Sequence, residues 1–137
     1  MNSLAGLAFL LAEQAEKLKQ AKEGLETAAQ LIETESKAMI GHYQDGWAAL
    51  ADSTERQKAA KGYPPNAPLL ATGEMRDSIT HNVQDATAYI GTDDEKMIYH
   101  EFGTVHIPPR PVYMLAFEHK KDEIIEVIGQ ATVKYLA

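Results

Sequence analysis

The segment YHEFGTVHIPPRP at 99–111 brings His100, Glu101, His106 and Arg110 close together. Two imidazoles and a carboxylate are the side chains of a zinc site or of a general acid/base pair. A helical zinc motif places its histidines at i and i+4 with a Glu between them. Here the second His follows six positions after the first, across Gly103 and an expected helix end, so the spacing does not fit. His100 and Glu101 are neighbours, and on a helix they point about 100° apart rather than at one substrate atom. Ser53, Thr54 and Ser78 occupy cap or helix-end positions, and no Gly-x-Ser-x-Gly elbow is present. GTDDEK at 91–96 has one glycine followed by two acids, which repel phosphate rather than cradle it. The expectation is a protein that is not an enzyme, with no catalytic residue, no bound metal and no cofactor. One chemical alternative stays open: a small metal-dependent hydrolase using His100, Glu101 and His106.

Arg110 is read differently. Pro108, Pro109 and Pro111 restrict the backbone on both sides of it, so the segment is an extended, stiff strut. A guanidinium on such a strut can bind a carboxylate in bidentate fashion with little further ordering. Arg110 is therefore a candidate interface residue, alongside the reading of an ordinary exposed arginine. On this view Arg110→Ala leaves the monomer folded and impairs assembly.

Composition narrows the partners. The 137 residues suit one domain with a single core. The net charge of −7 provides no positive field for binding a phosphate backbone, so DNA is expected to pass by without specific binding. The absence of cysteine removes disulfides, thiolate metal sites and thiol nucleophiles. The first twelve residues are uncharged but lack a basic residue before the apolar run, which argues against a signal peptide. No stretch reaches the ~18 to 20 apolar residues of a membrane span.

These residues need elements to hold them. Leu4, Leu11, Leu18, Leu25, Ile32 and Met39 recur every seventh position, mostly with small residues four further on, which predicts a long amphipathic helix over 3–42. At ~1.5 Å per residue it would be about 60 Å long, more than its own domain covers. Its stripe, with Leu4, Leu11 and Leu18, is a candidate surface for neighbouring copies; a helix folded over its own domain is the alternative. Asp52 and Glu55 have capping-box spacing for a helix to about Lys61. Three prolines in KGYPPNAP at 61–68 predict an exposed, mobile loop. Thr72 is placed to cap a short helix in GEMRDSI. Residues 79–83 and 87–92 alternate as a β-hairpin around QDA, and Asp93 or Asp94 can cap a helix ending at Gly103. VHI at 105–107 reads as a short strand, and a helix of some twenty residues closes the chain.

In this order the blocks Trp47-x-x-Leu50-x-x-x-Thr54, PLLATGEMRDSI at 68–79, YIGT at 89–92, YHEFGT at 99–104 and IPPRP at 107–111 resemble the neck and tail-completion proteins of long-tailed bacteriophages, also termed minor tail or virion-morphogenesis proteins. The resemblance spans about 45–118. It implies a structural phage or prophage protein of the head-tail junction, forming a homo-oligomeric ring between head-completion and tail proteins. Such a protein resides in the virion, and in the host cytoplasm during assembly, without a membrane. Carried over by position, Thr72, Gly73, Met75 and Arg76 fall on one family block, Glu101, Phe102 and Gly103 on a second, and Pro109, Arg110 and Pro111 on a third. Met75 replaces Leu, Pro109 replaces a frequent Ala, and Val112 replaces a usual Phe.

The expected fold class is α+β, with a long N-terminal helix, a small antiparallel β-sheet and a C-terminal helix packed on the sheet. Residues 1–44 would form the helix and 45–137 the core domain, in one structural unit. If Gly103 ends its helix with a positive φ, Gly103→Val should damage the fold. A coiled-coil adaptor unrelated to phage rests on residues 4–39 alone.

Overall fold

The computed structural model describes residues 4–136, with side chains described at position 16 and from 19 to 129. The side chains of Leu4, Leu11 and Leu18, three of the expected interface positions, lie outside those described. The element order is α1 (Leu4–Met39), α2 (Asp52–Ala60), α3 (Glu74–Asp77), β1 (Thr80–Gln84), β2 (Thr87–Gly91), α4 (Lys96–Phe102) and α5 (Tyr113–Leu136). The fold is α+β, with the C-terminal helix packed against the first helix and the sheet.

Helix α1 is the spine of this arrangement, because both α5 and the hairpin lie against it. Its small residues make close approach possible: Ala28, Ala29 and Ser36 are buried. Glu35 reaches across to α5, meeting His119 Nδ1 at 3.1 Å and Lys120 Nζ at 3.7 Å. At ~1.5 Å per residue α1 is about 54 Å long against about 36 Å for α5, so one partner helix cannot cover it throughout.

The hairpin is antiparallel, with His81 opposite Ile90 and Val83 opposite Ala88. These four positions are less exposed than Thr80, Asn82, Gln84, Thr87 and Tyr89, as alternation in a half-buried sheet requires, Gly91 at the end of β2 being half-buried as well. The two-residue turn places Asp85 at φ 50° and Ala86 at φ 60°, a geometry that usually selects glycine at the second position.

The core gathers Met39 and Ile40 from the end of α1, Trp47, Met75 and Ile79 around α3, Met97 of α4, and Val112 and Ala116 at the start of α5. Burying side chains of this size contributes about 1.5–3 kcal/mol each before entropy is subtracted. The end of α1, the 46–51 segment, α3, α4 and the start of α5 are thereby fastened to one centre.

Three local expectations are corrected. The N-cap of α2 is Ala51, in extended conformation, and Asp52 is the first helical residue; no side chain caps this helix, though the Asp52 and Glu55 charges suit its positive end. The loop at 61–68 is not free along its length, since Ala67 and Pro68 are buried, Gly41 N donates to Pro68 O at 2.8 Å, and Lys58 Nζ donates to Ala67 O. The VHI segment is a turn rather than a strand. Thr104 holds it, its Oγ1 accepting His106 N at 3.1 Å and Ile107 N at 3.2 Å, while its own N–H donates to Ile107 O.

Candidate functional site

The arginine of the proline strut points inward. Arg110 is only 6% exposed; its Nε donates to Ala48 O at 3.0 Å and Nη2 to Ala49 O at 3.2 Å. The backbone alongside is tied as well, with Arg110 N donating to His100 O at 2.7 Å and Trp47 Nε1 donating to Pro111 O at 3.2 Å. The expectation of an outward-facing guanidinium awaiting a partner's carboxylate is therefore corrected. Residues 46–50 lie in no helix or strand that could satisfy their carbonyls, and the guanidinium fork supplies donors to Ala48 and Ala49.

Glu101 has an equally internal task. Its Oε1 accepts Val112 N at 2.8 Å and Tyr113 N at 2.9 Å, and Oε2 accepts Met114 N at 3.3 Å. Those N–H groups open α5 and have no intrahelical partner, and an anion is favoured at that helix end. Burial, with Glu101 close by, pushes the Tyr113 phenol up to about 12.

Gly103 lets these two devices coexist. Its φ of 73° and ψ of 171° lie in a region open essentially to glycine alone, rather than in the left-handed helical region usual after a helix. A Cβ there would lie 2.8 Å from Pro109 N. The sharp exit from α4 brings the strut back against the helix it has just left.

A cleft of about 490 Å³ opens between α2, the 69–73 segment, α4 and the strut. Leu50, Leu69, Leu70 and Met75 contribute apolar wall. Five cations (Lys58, Lys61, Arg76, Lys96 and Arg110) line it, and among the described residues no Asp or Glu does. At its edge Asp77 pairs with Arg76 at 2.9 Å and Asp94 with Lys96 at 3.5 Å. Lys58 and Arg110 donate to backbone carbonyls, and among the described residues neither has an acid within ion-pair distance. Burial pushes the Lys58 ammonium below its ordinary value, against an opposing pull from Glu55. A strongly acidic chain thus keeps a cationic hollow, suited to a carboxylate-bearing, partly apolar occupant.

His100 and His106 both line this cleft. Burial, then the Arg110 charge, lower the His100 value, with Lys96 adding to the effect and Asp94 opposing it. Glu101 does not join them, because its carboxylate is committed to the start of α5. The grouping needed by the hydrolase alternative is not assembled, and the described residues contain no cluster of three or more His, Asp or Glu placed to hold a metal.

Four of the five quoted sequence blocks converge on this region, the one at 89–92 excepted: Thr54, Thr72, Gly73, Arg76, His100 and Arg110 all line one cleft. Over residues 6–133 the chain matches the model of the phage virion morphogenesis family. It belongs to that family. No curated protein and no solved structure gives a match. For a member of the phage virion morphogenesis family, the block residues divide by role. Trp47, Glu101, Gly103 and Arg110 hold the fold, whereas Phe102, 78% exposed, faces outward. No described helix is long and apolar enough to cross a membrane.

Sequence reasoning did not single out Lys58 or Lys61. The available signal was modest: two lysines at i and i+3, running into a proline-rich segment that must fold back beside them.

Proposed function

We propose that this chain is a structural component of the phage or prophage head-tail junction, a neck or tail-completion protein that assembles as a homo-oligomeric ring and acts through protein contacts without catalysing a reaction. The observation that carries this reading is the family match over residues 6–133. It is supported by the large apolar side chains left exposed on α4 and α5, among them Ile98, Phe102, Met114 and Ile125. Apolar surface of this kind, distributed along two helices, suits protein partners. In this role the ring contacts head-completion proteins on one side and tail proteins on the other, in the virion and in the host cytoplasm during assembly. DNA passes without specific binding, an acidic wall repelling its phosphates.

Deleting the gene from a phage or inducible prophage tests the proposal. The expected result is tails and filled heads that fail to join, with the protein present in wild-type particles. Normal joining, together with its absence from the virion proteome, would reject it.

A further inference from the structure

Helix α4 presents three different faces. At about 100° per residue, Met97 and Glu101 turn toward the core and α5, Lys96 and His100 line the cleft, and Glu95, Ile98 and Phe102 share an outer face. The cleft face and the outer face are roughly 150° apart around the helix axis by the same periodicity. On the outer face Ile98 is 61% and Phe102 78% exposed, and Val105 in the following turn is 95% exposed. Asp93 and Glu95 flank this knob and are exposed too.

The knob is apolar and acidic; the cleft is apolar and cationic, with Lys58 and Arg110 lacking acidic partners among the described residues. We propose that the α4 knob of one copy (Glu95, Ile98, Phe102 and Val105) seats in the cleft of a second copy of this chain, beside Lys58 and Lys61. Charge complementarity selects the occupant: with a net charge of −7, most of this protein's own surface repels an acidic face, whereas the cleft gathers five cations on a lining without a described acid, only Arg76 and Lys96 being paired with acids at its edge. Because knob and cleft occupy different faces of one helix, each copy can serve one neighbour as knob and another as cleft. Contacts of this heterologous kind propagate around a closed rotation. The inference rests on the reading of the chain as an assembly component and names the surfaces that build it.

The test uses the full chain, which has no native cysteine. Val105→Cys and Ala71→Cys place single thiols beside the knob and on the cleft wall. Oxidation of the double variant should give a ladder of covalent oligomers, and an equimolar mixture of the two single variants should stop at a dimer containing one of each. Phe102→Asp and Lys61→Glu alter exposed side chains, so folding is retained, and each should weaken self-association by about tenfold or more. Mixed together, these two variants should form a heterodimer and nothing larger, since each keeps one competent surface. A monomer at the highest soluble concentration, or oligomers indifferent to both substitutions, would overturn the docking. So would saturation of the cleft by inorganic phosphate or by an acidic segment of another virion protein without a ladder. Those results leave the junction role standing if deletion still blocks tail joining; normal joining after deletion overturns the role itself.

Discussion

The Glu101 carboxylate in α4 accepts the Val112 N–H at the start of α5, 2.8 Å away and eleven residues further along the chain. A side chain at the end of one helix thus caps the next, across a glycine and three prolines. Removing it by Glu101→Ala strands the opening N–H groups of α5 and should cost about 1–3 kcal/mol. Glu101→Gln keeps an acceptor without the charge and should cost less. Urea denaturation of both variants measures the difference; equal loss in the two would mean that a neutral acceptor recovers nothing, and wild-type stability in Glu101→Gln would mean that the charge contributes nothing.

Arg110→Ala is expected to destabilise the monomer rather than spare it. Two carbonyls, Ala48 O and Ala49 O, lose their donors, at a cost of about 2–3 kcal/mol. Arg110→Lys keeps the charge but lacks the fork and should recover only part of that loss. Hydrogen exchange should show faster exchange within 47–51 in both variants, and unchanged stability in Arg110→Ala would refute the inward role.

Gly103 and Gly46 make a controlled comparison, since both have positive φ, 73° and 85°. A Cβ at Gly103 collides with Pro109, whereas one at Gly46 meets nothing within 4 Å. Gly46→Ala should therefore cost about 1–2 kcal/mol from backbone conformation alone. Gly103→Ala should cost more than about 3 kcal/mol, and Gly103→Val more again. Thermal unfolding of the three variants decides; equal melting points would be inconsistent with this geometry.

His81 and His100 give opposite pH dependences. The His81 value is raised, first by its hydrogen bond to Glu26 and then by the charges of Glu26 and Glu33, the latter at 3.5 Å. Its stabilising contribution is complete below the ordinary value of 6.5 and is lost as pH rises through the folded value. The His100 value is lowered by burial, so the unfolded chain takes up the proton first and stability falls as pH drops below 6.5. His81→Gln should make the protein more acid-sensitive, and His100→Gln less so, in melting curves from about pH 5 to 8. A His81→Gln curve parallel to wild type would remove His81 from the linkage.

Much of the architecture was readable because its causes are local. The heptad run predicted a helix over 3–42 and α1 spans Leu4–Met39; the alternation around QDA predicted the hairpin, and Gly103 ends its helix with positive φ as expected. The misread VHI segment is instructive. Val-x-Ile has the composition of a strand, but Thr104 bonds the next N–H groups itself, and no neighbouring strand competes for them.

From the order of residues alone follow the elements, the proline strut, the glycine hinge before it and the family resemblance, since each depends on backbone preferences of neighbouring positions. The roles of Glu101 and Arg110 do not follow. Both are long charged side chains with several rotatable bonds, and their partners are main-chain groups, which carry no residue identity for a pattern to detect. Arg110 finds carbonyls sixty-two and sixty-one positions earlier in the chain. Only the packing of α4, the strut and α5 around Met97 and Val112 brought those groups within reach, turning two apparent site residues into internal fastenings and gathering dispersed lysines around a cleft.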